Sequence, residues 1–170
     1  MKDRFAPNDT VMYGGHGACT LLEITEKDFG GDVKQYYVLR PAYSGSSVFY
    51  VPIDSEPLTA KMRPIKEAAT LRAIVQETAP ATWVEEDRPR QNQLKAVVDG
   101  GGTEELVANL KLLFARQQEL AAEGKKLRAA DDRYMKDIEK LLHEEFSFVF
   151  EIAKEEVIPF VLGEVELQNK

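Results

Sequence analysis

The chain has 170 residues, enough for one ordinary domain or two small ones, and its 44% hydrophobic and 30% charged residues exclude a wholly disordered polypeptide. A formal charge of −7 excludes an indiscriminate grip on bare nucleic acid, which requires a basic footprint. The single cysteine, Cys19, excludes an internal disulfide, and no apolar run has the length of a membrane span or signal-peptide core, so a cytoplasmic protein without a membrane partner is expected.

From Thr10 to about Ser55, β-branched and aromatic residues alternate with polar ones. Strands are predicted over Thr10–Tyr13, Ala18–Lys27, Gln35–Pro41 and Ser47–Val51. The run Gly14-Gly15-His16-Gly17 reads as a tight turn between the first two. Phe29-Gly30-Gly31-Asp32 and Ser44-Gly45-Ser46 separate the others, so the connections are hairpins and the product a small antiparallel barrel or strongly bent sheet. Pro52, Pro57 and Pro64 remove backbone donors at short intervals and mark the expected end of sheet pairing. The domain boundary is placed there, with a β domain over 1–64 and a helical domain over 65–170.

Beyond Pro64 the apolar period becomes helical. A helix over 66–78 carries Leu71, Ile74 and Val75 on one face, and Ala79-Pro80-Ala81 interrupts it. A second ends near Val98, before Asp99 and Gly100 to Gly102. Thr103 is the expected cap of a third, with Glu104 and Glu105 in its first turn and Leu106, Leu110, Leu113 and Phe114 as its stripe, running to about Glu123. A fourth, about Ala129 to Ala153, carries Tyr134, Ile138, Leu141, Leu142, Val149 and Ile152. In the terminal VIPFVLGEVELQNK, Pro159 kinks or delays any helix.

Catalytic and metal chemistry is not written in this sequence. His16 and His143 have no metal-ligand spacing with the lone cysteine, no phosphate-loop signature occurs, and the carboxylates lie on solvated helical faces, so no enzyme, cofactor or metal is expected. Cys19, alternating with Leu21, reads as a small buried hydrophobe. The charge is unevenly spread. Residues 141–170 hold 2 basic and 7 acidic residues, whereas Lys125, Lys126 and Arg128 cluster in the nearly neutral middle and Arg88 and Arg90 follow Trp83.

The pattern Phe5-x-x-x-Asp9-x-Val11-x-Tyr13-x-x-His16-Gly17, then Ile24, Tyr37-x-Leu39 and Val51-Pro52, resembles the CarD family of bacterial transcription regulators, which shares its N-terminal domain with the transcription-repair coupling factor. Trp83, Arg90, a glycine near residue 100 and a helix ending in Leu-Phe extend the resemblance over about residues 3 to 150. It implies an α+β protein with a Tudor-like, SH3-like N-terminal domain that binds the RNA polymerase β subunit. It further implies a helical domain that reaches promoter DNA at the upstream edge of the bubble and keeps it open. Carried over by position, Trp83 matches the wedge into the minor groove, and Arg88 and Arg90 match nearby basic positions. Lys125 and Lys126 join them as candidate phosphate contacts; Lys27, Tyr50 and Val48 fall at polymerase-facing positions. The sequence departs from the family in the acidic Glu85-Glu86-Asp87 after Trp83, in Tyr50 where some members use arginine, in Arg128 at a common serine position and in its terminal extension.

Trp83 itself has two readings. Beside Pro80 and Pro89 it stands at a helix entry, either in a first turn over 82–85 or ahead of a helix beginning at Asp87 or Arg88. There it acts as a packed clamp on the linker or as an apolar wedge between base steps with arginines on the backbone. The corresponding functions are a non-enzymatic regulator of the open promoter complex and a protein-interaction adaptor that does not touch DNA. Phe146 and Phe150 are expected in the core.

Overall fold

The computed structural model describes residues 4–43 and 45–170, so the expected turn at Ser44-Gly45-Ser46 lies partly outside the described residues, at Ser44. The chain divides into two compact units, one ending at Ile65 and the other spanning Lys66–Lys170.

The first unit is a five-stranded antiparallel sheet of β1 (Thr10–Tyr13), β2 (Ala18–Asp28), β3 (Val33–Pro41), β4 (Phe49–Pro52) and β5 (Met62–Pro64), in the order β4-β3-β2-β1-β5. Alternation selects one face for the core, where Val11, Tyr13, Cys19, Leu21, Tyr37, Leu39, Val51 and Met62 pack together. The β2–β3 register shifts between Leu21 and Glu23. That bulge absorbs Leu22 and brings Ile24 opposite Tyr37, so the apolar set stays on the core side across an otherwise face-inverting step. Gly14–His16 form a 3₁₀ turn between β1 and β2, with Gly14 at φ 47° and Gly17 at φ 84°. Asp9 explains the motif begun by Phe5. Its carboxylate accepts the Ala6 N–H at 2.9 Å, folding the N-terminal segment back so that Phe5 meets the Tyr37 ring edge-on at 5.9 Å.

The three prolines do not end the sheet together. Pro52 still pairs with Tyr36, Pro57 opens a short helix α1 (Glu56–Thr59), and Pro64 lies opposite Val11 in β5. β5 is an edge strand, where a residue lacking an N–H is tolerated.

The second unit is helical, with α2 (Ala68–Glu77), α3 (Asp87–Gly100), α4 (Thr103–Ala122), α5 (Ala129–Phe146) and α6 (Val157–Val161). Its core joins Leu71 and Val75 of α2, Leu94 and Val97 of α3, Leu106, Leu110 and Leu113 of α4, and Ile138, Leu141 and Leu142 of α5. Lys111 of α4 donates to the carbonyls of Val75 and Thr78 at 2.7 and 2.6 Å, capping the C-terminus of α2, and burial pushes its ammonium below the ordinary lysine value. Three sequence expectations need correction. Gly102, not Thr103, occupies the cap position of α4; Thr103 is fully buried and its hydroxyl donates to the Glu145 carboxylate at 2.9 and 3.1 Å. Helix α5 stops at Phe146 rather than Ala153, because the chain turns at Ser147 and pairs Phe150 with Asn169. The C-terminal segment is part of the core, with Val157, Phe160, Val161 and Leu167 buried. Pro159 falls in the first turn of α6, where its missing N–H has no partner to lose. Phe146, Phe150 and Phe160 form an aromatic trio with centroids 5.3–6.3 Å apart, and Arg72 lies over Phe150 at 4.7 Å while donating to the Leu167 carbonyl at 3.0 Å.

Candidate functional site

In the helical unit the site is built around Trp83. Pro80 blocks continuation of α2, and the Ala81 N–H donates to the Ala108 carbonyl at 3.0 Å, fixing the irregular segment 78–86 on α4. Trp83 therefore lies four residues ahead of Asp87, the first residue of α3, which decides between the two helix starts left open by the sequence. The ring is half-buried among charges. The Arg90 guanidinium lies over it at 4.4 Å from the centroid, and that of Arg116, from α4, at 5.0 Å.

Arg90 is 3% exposed and every N–H it owns is engaged. Nε and one Nη2 proton hold the Asp131 carboxylate of α5 in a bidentate pair at 3.1 and 2.7 Å, the other Nη2 proton meets Asp87 at 2.7 Å, and Nη1 donates to the Val84 and Glu85 carbonyls at 3.0 and 3.1 Å. The Asp131 hydrogen bonds raise its already high pKa against the opposing effect of burial, with Asp87 adding to the rise. Arg90 thus ties α3 to α5 and holds the backbone just after Trp83. Asp87 also accepts an ion pair from the exposed Arg128 at 3.2 Å.

Trp83 and Arg90 line a cleft of about 400 Å³ with Arg116, Leu120, Lys125, Lys126 and Arg128 on its walls. Five cationic residues meet three carboxylates there, from Glu85, Asp87 and Asp131, so the cleft is cationic on a chain of net charge −7. The structure brings Trp83, Arg90, Lys125 and Lys126 of the predicted set to one place. Arg88 is exposed on the first turn of α3 and is not among the cleft residues. Arg116 and Asp131 escaped the sequence reading. Arg116 follows the buried Leu113 by one helical turn, a weak signal of a partly covered position, whereas the Arg90–Asp131 pair spans 41 residues and leaves no local trace.

In the sheet unit, Lys27, one residue before the end of β2, lies directly across from Lys34, which is paired with Asp54 at 3.6 Å. Tyr50 of β4 is 40% exposed and Val48, just ahead of β4, 37%. Tyr50 meets the exposed Phe29 at 5.3 Å, and Phe29 meets Tyr36 at 5.2 Å, so the β2–β3 hairpin tip and edge strand β4 share an aromatic patch. Among the described residues β4 pairs along one side, with β3. Cys19 is buried. Among the described residues no His, Cys, Asp and Glu group comes together as a metal site, and no helix is long and apolar enough to cross a membrane.

Comparison with known proteins finds a match over the sheet unit. Residues 5–66 match the CarD-like/TRCF RID domain. The chain is also 34% identical over 71 residues to a Bacillus subtilis (strain 168) protein named "Putative transcription factor YdeB", an alignment that covers 42% of this chain and 45% of that protein.

Proposed function

We propose, from the premise that residues 5–66 belong to the CarD-like/TRCF RID family, that this chain is a bacterial transcription regulator rather than an enzyme. It docks on the RNA polymerase β subunit through its sheet unit and holds promoter DNA open with the Trp83 face of its helical unit. The domain family and the name of the Bacillus relative support the transcriptional role. Docking uses edge strand β4, whose unpaired side can extend a sheet of the partner through backbone hydrogen bonds, with Tyr50 and Val48 beside it and Lys27 at the hairpin.

The observation that carries the DNA step is the setting of Trp83. This ring lies half-buried under two guanidiniums at the wall of a cationic cleft rather than inside the aliphatic core of the helical unit. An aromatic wedge needs such a mount, since inserting it between base steps requires nearby cations to hold the backbone. Lys126 and Lys125, the latter in an exposed ion pair with Glu123 at 3.5 Å, supply ammonium groups at the cleft; Arg90, with its five N–H donors engaged inside the protein, acts as the mount rather than as a phosphate contact. The chain's net negative charge makes the DNA step dependent on polymerase, which delivers an already distorted duplex.

The alternative of an adaptor that binds polymerase without touching DNA draws on Glu85 and Asp87 in the cleft wall. One experiment separates the two. Trp83→Ala is expected to co-purify with polymerase as wild type does while shortening the lifetime of open complexes on a reconstituted promoter, with Trp83→Phe retaining part of the effect. An unchanged lifetime would favour the adaptor.

A further inference from the structure

The two guanidiniums over Trp83 are held very differently. Arg90 is locked by five hydrogen bonds, so its plane is fixed without help from the indole. Arg116 has one ion pair, from Nη1 to Glu119 one turn along α4 at 3.1 Å, and both partners keep a third or more of their side-chain surface in solvent. Among the described residues two buried side-chain polar atoms lack a hydrogen-bond partner, and they are Trp83 Nε1 and Arg116 Nε.

That pairing is informative about what fixes the indole. Its single polar atom has no hydrogen-bond partner among the described residues, so no hydrogen bond within the described protein sets the angle of the ring about its side-chain torsions. The Ala81–Ala108 backbone bond and the Arg90 bonds to the Val84 and Glu85 carbonyls fix the main chain on either side of it. The guanidiniums of Arg90 and Arg116 lie over the ring at 4.4 and 5.0 Å from its centroid. A planar guanidinium can define an orientation in this way, which a compact, freely turning ammonium cannot.

We infer that Arg116 is a positioning residue: its guanidinium sets the angle at which Trp83 is presented from the cleft, and its contribution comes through planar contact with the ring rather than through charge offered to DNA. This rests on the proposed DNA role of Trp83 for its functional consequence, but not for its structural content. Arg116 is not itself required to touch DNA.

Arg116→Lys tests it, because the substitution keeps the charge and removes the plane. Trp83 is the only tryptophan, so intrinsic fluorescence reports its surroundings without labelling. In Arg116→Lys the emission is expected to shift to the red and acrylamide quenching to rise, with the melting temperature within about 2 °C of wild type. The open-complex lifetime should fall about three-fold, a loss on the scale of one exposed cation–π contact, and Arg116→Ala should fall no further. Unaltered quenching in both variants would overturn the inference. Where Trp83→Ala does shorten the lifetime, so would quenching that rises in Arg116→Lys while the lifetime stays at the wild-type value, since charge alone would then suffice. Should Trp83→Ala leave the lifetime unchanged, the DNA reading fails by itself, and the quenching result still decides whether Arg116 sets the ring.

Discussion

Phe29, Tyr36 and Tyr50 in the sheet unit meet edge to face, with centroids 5.2–6.3 Å apart, whereas Trp83 in the helical unit lies under two guanidiniums, one of them wired into a buried ion-pair network. The sheet aromatics lie on regular strands and a hairpin, so backbone pairing already fixes where they stand, and the ring contacts only refine it. Trp83 sits in a segment with no regular structure and needs side-chain bonds from α3 and α5 to hold that segment down. The same demand, an aromatic side chain presented at a surface, is met by backbone in one unit and by charge in the other. It follows that conservative changes should damage the helical site through its supports, and the sheet site only through the presented side chains themselves.

The strongest break is Asp131→Ala. It strips a carboxylate that is 1% exposed from a guanidinium that is nearly as buried, and an uncompensated buried charge typically costs about 3 to 5 kcal/mol. Urea unfolding should show a loss of that order, and Trp83 fluorescence should change already in the native baseline, because the anchor of the 84–85 carbonyls is released. Full stability in Asp131→Ala would mean that Asp87 alone can neutralise Arg90.

Next in size is Gly101→Ala, at the junction of α3 and α4. An added Cβ would lie 2.6 Å from the Val97 carbonyl oxygen, against backbone that cannot swing aside, and overpacking of this kind costs about 1 to 3 kcal/mol. Thr103→Val is of similar or smaller effect. It keeps the shape but removes the hydroxyl that donates to fully buried Glu145, at about 1 to 3 kcal/mol for a charged group losing a bond. Thermal unfolding orders these variants, and neither should alter Trp83 quenching before the transition, since neither residue belongs to the cleft.

These sites also mark what a reader of the sequence can and cannot recover. β1 is legible to the residue, and β2 to β4 to within two, because alternation, glycine turns and β-branched side chains are local properties. β5 is not, because three residues ending in Pro64 carry no periodic signal, and only the edge position beside β1 makes that proline acceptable. The apolar spacing of Leu142, Val149 and Ile152 suits a longer α5; what stops the helix is the return of Leu167 to Asn169, with Asn169 paired to Phe150 and Leu167 bonded to Arg72 across 95 residues, contacts beyond the reach of a local pattern. At the candidate site, Trp83 is legible as a lone tryptophan beside two prolines. The burial of Arg90 depends on its pairing with Asp131, and nothing local in either residue announces the other.

The sheet unit supplies the complementary case, with the smallest expected effect on stability and a large one on binding. Lys27 and Tyr50 are both exposed, and Lys27 already faces Lys34 across the β2–β3 ladder, so reversing its charge should not harm the fold. Removing the Tyr50 ring leaves β4 paired with β3 through backbone bonds that the side chain does not make. Lys27→Glu with Tyr50→Ala is therefore expected to stay within about 0.5 kcal/mol of wild type in unfolding. On a polymerase β-subunit fragment, loss of a tyrosine at the proposed docking edge together with a reversed charge should weaken binding by at least about ten-fold, the loss expected for removing one aromatic anchor. Titration of the fragment by calorimetry measures this directly. Undiminished binding by a folded double mutant would move the docking surface off this edge, and would imply that the unpaired side of β4 is not where the partner sheet adds.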